Sequence, residues 1–241
     1  MIKRSLCVFL FLTYLDIVRP YVFPSIKKCH FKDSACLKES FQKALPLFAD
    51  GIPELGVEKM DELVIQDKTY KLGGLDFTLK DGRLKGLKST VFDLVRMDMD
   101  NNYVYTKYHV PKCSIKGKYE GMGNIKVLPL RGSGEVFLKF RNVAVSLNTT
   151  IAMEKKNNKK YIVPKSYTFD YEVKDYAHFN LTNLFTGNEE LSNTVLTFLN
   201  DNWRDVSKEF GRPMMEQQAK QLLDNISIYL KNSAVEDIFA L

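Results

Sequence analysis

The amino-acid sequence predicts an α+β fold in which a long C-terminal helix is wrapped by a highly curved antiparallel β-sheet. Three observations predict it. Apolar residues recur at every second position from about Leu63 to Val173, then at every third or fourth from Asn188 to about Lys231. Glycines crowd the strand region from Gly73 to Gly134 and are absent from Glu135 to Thr186. In strands they mark bulges, tight bends or close backbone approach, which a strongly bent sheet requires. Finally, the helical stretch would reach about 65 Å if straight, at about 1.5 Å per residue; wrapping strands around it is the economical way to bury so long an apolar stripe.

Residues 1–20 read as a secretory signal peptide. Lys3 and Arg4 form its positive start, and Leu6–Leu12 begin an apolar run that ends near Leu15. That run is about half the length of about 20 residues that a membrane-spanning helix needs. Residues 21–241 are then expected to be one domain, long enough to bury a sizeable core. A composition of 45% hydrophobic and 27% charged residues argues against disorder. The formal net charge of +6 falls to +4 once Lys3 and Arg4 leave. The densest basic cluster, Lys155-Lys156-Asn157-Asn158-Lys159-Lys160, reads as a solvated hairpin tip, too sparse for a nucleic-acid face.

Cysteine usage fits an oxidising compartment. Cys7 leaves with the signal, and Cys29 and Cys36 would, if paired, staple the N-terminal segment to the first helix. Cys113 is left over, as a buried thiol or as a site of intermolecular pairing. Asn148, Asn180 and Asn225 each open a glycosylation triplet, which a signal peptide makes relevant; Asn225 falls inside a helical pattern and is the weakest of the three.

The elements follow in order. Leu37, Phe41, Leu45 and Phe48 recur at helical spacing, with Asp33 or Ser34 as cap and Gly51-Ile52-Pro53 as the stop. Leu75, Phe77 and Leu79 alternate with polar residues, as do Val136, Leu138 and Phe140, and Tyr167, Phe169, Tyr171 and Val173, so each strand buries one face of an antiparallel sheet. Asn188 is a good N-cap for the C-terminal helix, followed by Glu189 and Glu190 at the positive end of its dipole. Gly211-Arg212-Pro213 is expected to kink it.

Catalytic chemistry is not legible. His30, His109 and His178 are far apart, with no metal-type partner at helical spacing. Gly132-Ser133-Gly134 joins two apparent strands and lacks the strand-to-helix context of a nucleophile elbow. Neither enzyme activity nor a cofactor is expected. A sheet curved around a helix leaves room between the two layers, and apolar side chains lining such room form typical small-molecule sites. Alternation nominates Leu75, Phe77, Val136, Leu138, Phe140, Val143, Val145, Phe169, Val195, Phe198 and Leu199 as inward-facing. Tyr105, Tyr167 and Tyr171 are candidate groups with an apolar body and a hydrogen-bonding tip.

These motifs, taken in order, carry a resemblance. Cys29 and Cys36 before an amphipathic helix, Gly51-Ile52-Pro53-Glu54-Leu55-Gly56, Lys85-Gly86-Leu87, and the stretches Lys116–Gly123 and Leu128–Gly134 are the first five. Asn183–Leu191, reading Asn-Leu-Phe-Thr-Gly-Asn-Glu-Glu-Leu, and Phe198–Trp203 complete the set. Over nearly the whole mature chain the sequence resembles the insect takeout and haemolymph juvenile-hormone-binding protein family. The resemblance implies a Cys29–Cys36 disulfide, an internal apolar tunnel, secretion, and a hydrophobic ligand such as a terpenoid, a juvenile-hormone-like molecule or a fatty-acid-like lipid. High-affinity hormone carriers have a second disulfide in the sheet. Here Cys113 has no partner, so the sequence resembles the takeout branch more closely. The expected partners are the small hydrophobic ligand and, transiently, a membrane or receptor surface; a monomer is expected, and no nucleic acid. The alternatives are a secreted signalling or interaction protein with a vestigial cavity, and a lipid hydrolase.

Overall fold

The computed structural model describes residues 26–125 and 128–240, so the signal segment and Cys7 lie outside the described residues. Its centre is one antiparallel sheet of seven strands: β2 (Leu63–Ile65), β3 (Lys68–Leu72), β4 (Leu75–Lys85), β5 (Val91–Asp98), β6 (Tyr103–Ile125), β7 (Leu128–Lys156) and β8 (Lys159–Leu181). The spatial order is β2-β4-β6-β7-β8, with β3 also on β4 and β5 also on β6. β7 and β8 meet at Asn157-Asn158, both with positive φ, a two-residue hairpin turn that asparagine tolerates. The lysine cluster is therefore a hairpin tip.

Strands β6, β7 and β8 have 23, 29 and 23 residues. A straight strand as long as β7 would extend about 95 Å, at about 3.3 Å per residue. Bulges interrupt these ladders between Lys80 and Arg83, between Arg141 and Val143, and between Thr150 and Ile151; each bends and twists its strand locally. Gly86 (φ 112°) and Gly123 (φ 140°) serve the same geometry. A side chain on Gly86 would meet the Lys112 carbonyl at 2.3 Å, and one on Gly123 would meet the Gly74 carbonyl at 2.1 Å.

The sheet is not closed. One edge is formed by β2 and β3, the other by β8, and helices fill the gap. The sequence predicts one long helix over Asn188–Lys231; the structure divides it into α2 (Glu189–Asp201), α3 (Trp203–Phe210) and α4 (Arg212–Asn232). Asn188 caps α2, its side chain accepting from the Leu191 N–H. The break at Asn202 is not visible in the apolar spacing. There the backbone leaves helical values and the side-chain amide donates to the Phe198 carbonyl. The break at Gly211 is the expected one, because Pro213 lacks the N–H that would continue the ladder.

Helix α4 touches both edges. On the β2–β3 side, Tyr70 donates to Gln217 Oε1 at 2.6 Å, while Gln217 and Gln221 donate to the backbone carbonyls of Gln66 and Val64. On the β8 side, Arg212 donates to the Phe169 carbonyl. The main core lies beneath these contacts and joins Leu63 and Ile65 of one edge to Leu181 of the other through Val206 and Phe210.

A second core occupies the far end. Helix α1 (Ser34–Ala49) is capped by Asp33, whose carboxylate accepts from the Cys36 N–H. Leu37 packs with Val95, Met97, Ile151 and Ile162, and with Val235 of the short α5 (Val235–Ile238). Here β1 (Cys29–His30) pairs in parallel with β9 (Phe239–Ala240). Cys29 and Cys36 form the disulfide that the resemblance implied. Closing so short a loop contributes about 2–3 kcal/mol in the chain-entropy picture. Replacing both cysteines with serine is expected to lower the unfolding free energy by about that amount, measured as a reduced denaturation midpoint against an unreduced wild type.

Candidate functional site

An apolar cavity of about 180 Å³ lies between the sheet and the helices. Five strands wall it, β3 through Leu72 alone. β4 supplies Leu75, Phe77 and Leu84; β6 supplies Tyr108, Val110, Cys113 and Ile115. From β7 come Val136, Leu138, Phe140, Val143 and Val145, and from β8 Phe169, Tyr171, Val173 and Phe179. The helical wall is one stripe: Val206, Ser207 and Phe210 on α3, Gly211 at the junction, then Met214, Met215, Gln218 and Leu222 on α4. These residues fall three or four apart, the spacing of a single helix face.

Tyr171 fixes the distance between the walls. Its hydroxyl donates to the Ser207 carbonyl at 2.6 Å, and that carbonyl also accepts the Gly211 N–H at 3.0 Å. Gly211 permits this approach, since a Cβ there would sit 2.5 Å from the Tyr171 hydroxyl and 2.4 Å from the Ser207 carbonyl.

No charged side chain lines the cavity among the described residues. Burial pushes the Tyr108 and Tyr171 hydroxyls up to about 12, so both stay neutral. Burial also pushes the Cys113 thiol up to about 12, which removes the thiolate that nucleophilic chemistry would need. No group of His, Cys, Asp and Glu among the described residues is placed to hold a metal ion. The arrangement can enclose an apolar molecule.

Of the residues nominated by alternation, Leu75, Phe77, Val136, Leu138 and Phe140 line the cavity, as do Val143, Val145, Phe169, Tyr171 and Leu199. Four others do not. Val195 is buried in the main core one turn before Leu199, and Phe198 packs half-buried against the same core. Tyr167 packs beside Phe169 in a neighbouring apolar cluster that includes Leu223. Tyr105 shares the outer face of β6 with Lys107, whose ammonium lies 5.8 Å from its ring.

Tyr105 misses the cavity for a local reason. The β6–β7 ladder skips from the Val110–Val143 pair to Lys112–Arg141, with Pro111 opposite Asn142 (φ 53°). The buried face of β6 changes there from Thr106 and Val110 to Ile115 and Tyr119, even numbers to odd. Tyr108, not Tyr105, therefore points inward. Pro111 within a strand pattern is the sequence signal that could have located the switch.

The glycosylation candidates also separate. Asn148 and Asn180 are exposed on strands. Asn225 is 3% exposed, its side-chain oxygen accepts from the Glu58 N–H, and its Nδ2 is enclosed without a partner. The nitrogen to which a glycan would attach is thus unreachable in the folded chain, which corrects the expectation for Asn225.

An open, long-stranded antiparallel sheet packed on C-terminal helices around an uncharged apolar cavity defines the takeout class of fold. The chain belongs to the haemolymph juvenile hormone binding protein family, whose sequence model matches residues 5–240. The crystal structure of Epiphyas postvittana Takeout 1 superposes with a TM-score of 0.87 at 44% sequence identity, covering 90% of this chain and all of that one. The circadian clock-controlled protein daywake of Drosophila melanogaster is 25% identical over 239 residues, covering 90% of this chain and 88% of its own. A putative beta-carotene-binding protein of Schistocerca gregaria is 26% identical over 116 residues, 47% of this chain and 46% of its own.

Two outcomes follow from the wall chemistry. Replacing Gly211 with alanine is expected to destabilise the fold by about 1–3 kcal/mol through overpacking against Tyr171, read as a shifted denaturation midpoint. At pH 8 the Cys113 thiol is expected to react with iodoacetamide far more slowly in the native protein than in the unfolded chain; equal rates would place the thiol in water.

Proposed function

We propose that this protein is a secreted carrier that holds a small hydrophobic ligand in the cavity between its sheet and helices, without transforming it. The observation that carries this reading is the wall itself: large apolar side chains from five strands and three helices meet around a space that they do not fill, with no charged side chain among the described residues of the lining. Apolar cavities of this kind stay dry and accept apolar guests. Leu75, Phe77, Val136, Leu138, Phe140 and Phe169 form the contact surface in this reading, with Leu199 and the methionines of α4 opposite them.

The energetics suffice without catalysis. Burying about 400 Å² of ligand surface contributes about 10 kcal/mol, at about 25 cal/mol per Å². Association costs offset several kcal/mol of that, and micromolar binding needs about 8 kcal/mol net. Membership of a family described as hormone-binding supports an apolar ligand. So does the relative named for beta-carotene. The Cys29–Cys36 disulfide supports an oxidising compartment, and among the described residues no helix is long and apolar enough to cross a membrane. In this reading the apolar N-terminal segment directs export, and Asn148 and Asn180 are the reachable glycan acceptors.

Native mass spectrometry of protein purified from its source, followed by lipid extraction, tests the carrier reading; a co-purifying apolar molecule at one per chain is expected. Phe140→Arg is expected to leave a folded protein whose uptake of an apolar fluorescent probe is weaker by about 100-fold or more, because an unpaired charge enters the cavity wall. Unchanged uptake by the folded variant, or repeated absence of any lipid and any probe binding, favours a signalling or interaction protein with a vestigial cavity.

A further inference from the structure

Polar groups interrupt the cavity wall on its helical side, and the rest of the fold does not use them. Ser207 Oγ and Gln218 Oε1 are enclosed with no hydrogen-bond partner, in residues 6% and 9% exposed. Both sit on the stripe that faces the cavity. Away from the cavity several polar side chains of the C-terminal helices are satisfied within the chain, although Gln221 Oε1, Asn225 Nδ2 and Ser233 Oγ are enclosed without a partner as well. Ser192, Thr194 and Ser227 return their hydroxyls to the carbonyl one turn back. Gln217 and Gln221 reach the edge-strand carbonyls. Gln218 makes no such bond. Tyr108 lines the strand side of the same cavity, and it and Met215 pack against the same apolar clusters.

Buried polar groups are ordinarily paired, and an unpaired one calls for an explanation. A ligand group is the explanation that the cavity offers. Its chemistry is constrained. Ser207 Oγ can donate or accept, whereas Gln218 Oε1 only accepts, so a group that pairs with both must itself donate; an ester, ether or epoxide leaves Gln218 Oε1 unpaired. Among the described residues the wall holds no charged side chain, so an ionised carboxylate would find no charged partner among them. A hydroxyl donates, accepts and stays neutral. Resting on the carrier reading above, we infer that the cavity takes a neutral apolar molecule bearing a hydroxyl group, whose O–H donates to Gln218 Oε1.

The test uses probes of one skeleton, 1-dodecanol, dodecane and 1-methoxydodecane, each displacing an apolar fluorophore from the full-length mature protein. Gln218→Met keeps the side-chain length and removes the acceptor. The ratio of dodecanol to dodecane affinity is expected to fall about tenfold in Gln218→Met, the loss of one buried hydrogen bond, with dodecane binding at least as tightly as before. In the wild type, dodecanol is expected to outcompete its methyl ether, a comparison that needs no variant. An unchanged ratio in Gln218→Met, or an ether that binds as well as the alcohol, overturns the inference while leaving the carrier reading intact. Failure of all three probes to displace the fluorophore, with no other apolar probe taken up, removes both.

Discussion

The structure depends on a sheet whose two edges do not meet. β2 and β3 end one side, β8 ends the other, and α3–α4 occupies the interval. An uncovered edge would expose a row of unpaired carbonyls and amides. Here Gln217 and Gln221 cover carbonyls of one edge, while the α3–α4 junction docks on the other through Tyr171 and Arg212. The helix thus substitutes for a missing strand. A helix is about 10 Å across, whereas neighbouring strands lie about 4.8 Å apart. Inserting it holds the edges farther apart than pairing would, and the cavity is the space left beneath it.

Packing and hollowness adjoin, because the main core runs directly into the cavity wall through Phe77, Leu130, Leu138 and Phe210. The far core, with Leu37, Val95 and Phe239, is stapled by a disulfide and by the β1–β9 pair. The main core closes around Leu79, Tyr119 and Leu130, whose side chains are almost fully buried. Stiff packing at these places lets the region between α4 and the long strands remain unfilled without collapse. The wall is richest in flexible side chains on α4, where Met214 and Met215 can adapt to a guest.

Much of this was legible in the sequence, because periodicity reports directly on burial. The change from period two to period three or four located the sheet and the helices, and alternation within β4, β7 and β8 identified most of the wall. What stayed hidden was phase. Along β6 the inward face switches at Pro111, so counting back from Ile115 and Tyr119 leads to Tyr105 and away from Tyr108. The break at Asn202 was hidden for a related reason: Phe198 and Val206 keep apolar character across it, and only the asparagine's bond to the Phe198 carbonyl marks the turn. Burial of Asn225 depends on Glu58, a partner 167 positions away, and no local pattern encodes that.

The pairing of β1 with β9 gives assembly a definite order in time. Cys29 and Cys36 are seven positions apart and can find each other as soon as both leave the ribosome, whereas Cys29 meets Phe239 only after more than 200 intervening residues have been made. The sulfur link is therefore available early and its surrounding core late. Until the distal segment arrives, the nascent N-terminal region carries Leu37 and its neighbours without their cover, and a chaperone would find its opportunity in that interval.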